Sequence, residues 1–131
     1  MKSVLTLCLF LLSPTAFSLS CPSAVLNCEL FKINAATGNY ESVKKESRGF
    51  TAVNEDEPSE APNKCVVTIG LSTESGKLMV ASVNDGLQIF MWMQKGYGAE
   101  STQFMTTADI GKTYEMISTL EPQTKMVCGL K

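Results

Sequence analysis

The chain predicts an all-β fold: a small antiparallel up-and-down β-barrel of seven to eight strands, stabilised by disulfides, with a two-sheet β-sandwich as the alternative. Three observations lead there. Between residues 65 and 94, short runs of β-branched and large apolar residues are broken by Ser75-Gly76 and Asp85-Gly86, the strongest hairpin signal a sequence carries. No segment shows the 3.6-residue apolar period of an amphipathic helix. Four cysteines remain once an export signal is removed, an even number suited to an oxidising compartment.

Residues 1–20 read as a secretory signal peptide. Lys2 supplies the basic start, residues 3–12 the apolar run, and Ala16 and Ser18 the small residues that place cleavage after Ser18 or after Ser20. The run is too short to span a bilayer, and no later stretch approaches the roughly 20 apolar residues of a transmembrane segment. A lipid anchor at Cys21 would want Leu followed by two small residues before it, where Ser18 and Leu19 stand instead. The expected location is therefore secreted or periplasmic. Residues 21–131 form a single β domain of about 111 residues, large enough to bury a core as a monomer.

Ala24 to Ile33 alternates with Leu26, Cys28 and Leu30 on one side and is the first strand. Residues 36–39 turn the chain, and Tyr40 to Ser47 returns as a polar, lysine-bearing edge, with a bulge expected at Arg48-Gly49 before residues 50–53. An acidic loop at 54–64 follows, with two prolines and no apolar period. Its four acids lack the spacing of a calcium-binding loop. Read as a two-residue turn, Asp85-Gly86 sets Val83 opposite Gln88, Ala81 opposite Phe90 and Val80 opposite Met91. With a four-residue turn at Thr73 to Gly76, the core face becomes Val67, Ile69, Leu71, Leu78, Val80, Leu87, Ile89, Met91 and Met93. The reverse face then carries Val66, Thr68, Gly70, Met79, Ala81, Val83, Phe90 and Trp92, apolar enough to need a cover or a partner. A break at Lys95 to Gly98 precedes a Thr-rich strand from Ser101 to Thr107 carrying Phe104. After a turn at 108–111, Thr113 to Leu120 alternates with Tyr114, Met116, Ser118 and Leu120 on one side. A turn at Glu121 to Thr124 leads to Lys125–Leu130, with Met126, Cys128 and Leu130 together.

The mature cysteines are Cys21, Cys28, Cys65 and Cys128, at spacings of 7, 37 and 63 with no CxxC and no histidine, so disulfides are expected rather than zinc. Three connectivities exist. The favoured one joins Cys28 in the first strand to Cys128 in the last, closing a loop worth about 4.7 kcal/mol in the chain-entropy model, and leaves Cys21 with Cys65.

The absence of histidine removes the commonest general base, Ser-His and Cys-His nucleophiles, and His metal ligands. Ser42-x-x-Lys45 on a strand points its two side chains to opposite faces, and Gly111-Lys112-Thr113 lacks the earlier glycine of a phosphate loop. No catalytic residue and no cofactor is expected, though two carboxylates that meet in space would leave a carboxylate-based enzyme as a third reading. Ten basic residues against thirteen acidic ones give the mature chain a net charge near −3, and its basic residues are dispersed, which excludes a nucleic-acid surface.

Met91-Trp92-Met93 places two thioethers on one face, a soft pair suited to Cu(I). The motif resembles part of the site in small periplasmic copper-carrying β-barrels, which add a histidine that this chain lacks. Residues 90–96, Phe-Met-Trp-Met-Gln-Lys-Gly, are similar to part of the small bacterial periplasmic β-barrels that inhibit lysozymes, which share the size, export and disulfides. Their Ser-Gly-x-x-Tyr loop has no counterpart, because Ser75-Gly76 is followed by Lys77-Leu78-Met79.

The expected function is a non-enzymatic binding or inhibitor-like protein of the bacterial envelope, meeting an unidentified protein or small-molecule ligand through either the Phe90 and Trp92 face or the barrel mouth and loops. The alternative is a periplasmic Cu(I) carrier using Met91 and Met93.

Overall fold

In the computed structural model, described for residues 19–72, 77–95, 100–118 and 123–131, the chain forms nine antiparallel strands in two sheets. They are β1 (Val25–Ile33), β2 (Tyr40–Gly49), β3 (Thr51–Val53), β4 (Lys64–Ser72), β5 (Lys77–Asn84), β6 (Gln88–Lys95), β7 (Ser101–Thr107), β8 (Thr113–Ser118) and β9 (Thr124–Leu130). One sheet has the order β2-β1-β9-β8 and the other β3-β4-β5-β6-β7. Residues 1–18 of the expected signal segment, the turn expected at Thr73 to Gly76, residues 96–98 of the expected break, residues 119–120 of the expected strand and the first half of the turn expected at Glu121 to Thr124 lie outside the described residues, while Thr124 opens β9.

The architecture is the sandwich, not the barrel. Strand order follows the up-and-down path, but ladder pairing is interrupted twice. At Phe50 the chain leaves one sheet and enters the other, as strands do at sandwich corners. Arg48 spans that corner, donating to the Thr68 carbonyl at 3.2 Å while pairing with Glu46 at 2.9 Å. Between β7 and β8 the connection is pinned to the end of β9, where Ile110 bridges Leu130 and the Gly111 N–H donates to the Leu130 carbonyl at 2.7 Å. Gly111 has φ +91°, a conformation glycine adopts freely, and this fold-back holds β8 in its own sheet. Gly129 permits the close approach: a Cβ there would stand 2.9 Å from the Lys112 carbonyl oxygen.

The bulge also moves. β1 and β2 slip register at Leu30/Phe31, leaving Val43 without a partner, so the irregularity is at Val43 and not at Arg48-Gly49. β2 is an edge strand, as its polar sequence requires.

The core lies between the sheets. Leu26, Cys28 and Leu30 of β1 and Met126, Cys128 and Leu130 of β9 meet Val67, Ile69 and Leu71 of β4 and Ile89, Met91 and Met93 of β6, all buried. β5 contradicts the expected faces. Pairing runs Val83↔Ile89, Ala81↔Met91 and Val80↔Trp92 on one side and Leu71↔Met79 on the other, each one residue removed from the register expected of the two-residue turn at Asp85-Gly86 and of the four-residue turn at Thr73 to Gly76. β4 and β6 therefore keep the relation expected of them while β5 is inverted. Met79, Ala81 and Val83 are buried, and Leu78 and Val80 face outward.

A three-residue loop, Asp85 to Leu87, makes the shift. Leu87 takes φ +50°, its N–H donates to the Asn84 carbonyl at 2.8 Å, and Asn84 Oδ1 accepts from the Gln88 N–H at 3.2 Å. The left-handed residue costs about 1–2 kcal/mol. The alternative register would bury Ser82 between Val67 and Ile89, where an unpaired hydroxyl costs about 1–3 kcal/mol. Leu87 itself packs on the core, which tips the balance.

Both disulfides are those favoured. Cys28 and Cys128 are direct partners across β1 and β9, with Cα atoms 4.1 Å apart, and Cys21 reaches Cys65 with Cα atoms 5.5 Å apart. The Cys21 sulfur is engaged in the bridge to Cys65. Two native disulfides suit an oxidising, extracytoplasmic environment, and no helix among the described residues is long and apolar enough to cross a membrane.

Candidate functional site

The two outer faces of the sandwich differ in chemistry. On the four-stranded sheet, charges are paired: Lys45 with Glu29 at 3.4 Å and Lys125 with Glu115 at 3.4 Å. Lys125 also lies over the rings of Phe31 and Tyr40, at 5.2 and 4.6 Å, so its ammonium is held by a carboxylate and two aromatic faces. This is a solvated, self-satisfied surface.

The outer face of β4–β7 carries almost no charge. Alternation brings Val66, Thr68 and Gly70 of β4, Leu78, Val80 and Ser82 of β5, Phe90 and Trp92 of β6, and Gln103 and Met105 of β7 to the surface, with Lys64 at one end. Register then aligns the apolar ones. Phe90 is opposite Met105, and Trp92 is flanked by Val80 and Gln103. Phe90 and Trp92 are half-buried, Leu78 is 39 % exposed and Met105 is 69 % exposed. Gly70 beside Val80 leaves open space, with nothing within 4 Å of where a Cβ would be. Flattened in this way, the stripe is accessible from the β4 side.

One end of the stripe is a shallow cleft of about 260 Å³ with Phe90, Val66 and Met105 as apolar lining and Ser82, Asn84 and Gln88 as polar groups. Its rim is the start of the acidic loop, where Glu55 pairs with Lys64. The loop is tied down by Asn54, whose side chain accepts from the Glu57 N–H at 3.0 Å and donates to the Ala61 carbonyl at 3.1 Å. Asp56, Glu57 and Glu60, in the same loop as the cleft-lining Glu55, are exposed.

Of the residues singled out in the sequence, Phe90 and Trp92 do share this face. Met91 and Met93 point the opposite way into the core, 0 % and 1 % exposed, in the same cluster as Met79, Met116 and Met126. Five of the six mature methionines thus fill core space, and no accessible thioether pair is presented to Cu(I). No group of three or more His, Cys, Asp or Glu among the described residues is arranged to hold a metal. Glu29 has its carboxyl held below the usual 4.5, by a hydrogen bond with Ser42 foremost and by Lys45, which is the reverse of what a general acid requires.

Val66, Leu78, Val80 and Met105 complete the face. Sequence reasoning listed Val66 with Phe90 and Trp92 but assigned Leu78 and Val80 to the core and passed over Met105. Met105 follows Phe104 in β7, and strand alternation puts the two on opposite faces.

Compared with protein-family models, with curated proteins and with solved structures, the chain matches none.

Proposed function

We propose that this is an exported, non-enzymatic binding domain of the bacterial envelope, secreted or periplasmic, which holds a protein partner against the outer face of β4–β7 in the manner of an inhibitor. The observation that carries this reading is the continuous uncharged stripe of Leu78, Val80, Phe90, Trp92 and Met105, uncovered among the described residues. Soluble proteins seldom leave such a stripe bare, and aromatic and methionine side chains are those enriched at protein interfaces. A cleft of 260 Å³ is small for an organic ligand, which favours a protein surface over a free metabolite. The exposed acids at 56, 57 and 60 and the net charge near −3 suit a partner whose apolar patch is bordered by basic residues.

The chain has a single tryptophan, so its fluorescence reports on the site alone. The oxidised mature domain, immobilised and exposed to an envelope extract, should retain a partner that the Phe90→Ser/Trp92→Ser variant loses and that Lys45→Ser, on the opposite face, keeps. The purified partner should shift the Trp92 emission and shield it from acrylamide. Equal retention by both variants would remove the outer face from the interaction.

A further inference from the structure

β7 is an unguarded sheet edge. Natural sheets protect their margins with charge, bulges, proline or brevity. Three of the four edges here do so: β2 carries Lys44, Lys45 and Arg48 and the Val43 bulge, β3 is three residues long, and β8 bears Glu115 in a six-residue strand. β7, Ser-Thr-Gln-Phe-Met-Thr-Thr, has seven residues with no charge, no proline and an unbroken register against β6.

The ladder phase shows which backbone groups lie on that edge. The Lys95 N–H donates to the Glu100 carbonyl and the Ala108 N–H to the Leu87 carbonyl, so even-numbered residues from 100 to 108 direct their N–H and C=O groups towards β6. Ser101, Gln103, Met105 and Thr107 therefore direct theirs away. Among the described residues one of these groups is engaged, the Thr107 carbonyl, which accepts from the Tyr114 hydroxyl at 3.2 Å.

We propose that the free edge of β7 pairs antiparallel with the same edge of a second copy of this chain, about a two-fold axis at Phe104. The strand is complementary to itself in that register. Gln103 and Met105 become a hydrogen-bonded pair through free outward groups, Ser101 and Thr107 become the next, with the Thr107 carbonyl accepting on its second lone pair beside the Tyr114 hydroxyl, and Thr102 meets Thr106 on the inner side. No like charges meet, because the strand has none. The axis is perpendicular to the sheet, so both Phe90–Trp92 stripes emerge on the same side of a continuous ten-stranded sheet. This pairing does not depend on the partner reading above, since it uses the backbone edge of β7; of the stripe residues only Met105 lies on that strand.

Sedimentation equilibrium of the oxidised mature domain between about 1 μM and 1 mM should show the mass doubling. Met105→Lys sets a charge on the edge, and Gln103→Pro removes an outward N–H without touching the β6 ladder; each should weaken dimerisation at least about tenfold. Both should keep the wild-type melting temperature within a few degrees. Hydrogen exchange supplies the register: the Gln103 and Met105 amides should slow with concentration in the wild type, whereas those of Thr102, Phe104 and Thr106 stay protected throughout. A wild type that remains monomeric, a dimer that survives both substitutions, or Gln103 and Met105 amides that slow only when another protein is added would each overturn self-pairing.

Discussion

Glu29 illustrates how little a well-made surface contact involves and how it can still be read out. Its carboxylate accepts from Ser42 and pairs with Lys45 at 3.4 Å, and the resulting preference for the charged form keeps its affinity for protons below the usual 4.5. A carboxyl depressed in the folded state contributes stability in full above its unfolded value and loses it as pH falls through the folded one. Replacing Glu29 by Gln should lower the denaturant midpoint near pH 7, and the wild type and variant should converge as pH falls below the carboxyl's folded value; a difference that persists at the acid end would show that the side chain acts through packing. Trp92 offers the complementary case. Its side chain is neither core nor free, and Val80 beside it, with Gly70 on the strand beyond, gives a partner room to approach the ring.

At the level of elements, β5 decides which residues are core and which are surface. Val83→Ser should cost about 2–3 kcal/mol in urea unfolding, because it creates a cavity and buries a hydroxyl at a position 1 % exposed. Ser82→Val, one residue away, should change stability by no more than about 0.5 kcal/mol. The reverse order would restore the two-residue turn. Strand existence, nearly every boundary and the inner faces of β1, β4, β6, β8 and β9 were legible in the sequence because each alternates with period two against the same core. The inversion of β5 was not, for a physical reason. Asp-Gly favours the two-residue turn, and the residue that closes a three-residue loop must adopt the left-handed conformation, which Leu87 rarely does. The candidate site inherited that error: Phe90 and Trp92 were placed by the alternation of β6, whereas Leu78 and Val80 depended on β5. The edge of β7 could be suspected from its lack of charge but not located, since sheet order follows from the fold-back at residues 108–112 rather than from β7 itself.

Across the whole molecule, first and last strands are neighbours, and Cys28–Cys128 locks them together over a separation of 100 residues. Removing that bridge as Cys28→Ala/Cys128→Ala should cost about 2–5 kcal/mol, measured by thermal unfolding of the otherwise oxidised domain, and an unchanged melting temperature would mean the β1–β9 ladder suffices alone. The barrel expected from the strand order and the sandwich observed differ only at two seams, which no alternation pattern encodes. The two bridges also govern what happens when the backbone is cut. A break anywhere between residues 28 and 65, the acidic loop included, is spanned by both disulfides, and one between 65 and 128 is still spanned by Cys28–Cys128. Outside the cytoplasm, where proteases meet exposed loops, a clipped chain therefore remains one covalent body: its pieces have nowhere to diffuse, the strands on either side of the cut stay paired, and damage to a loop need not become loss of the domain.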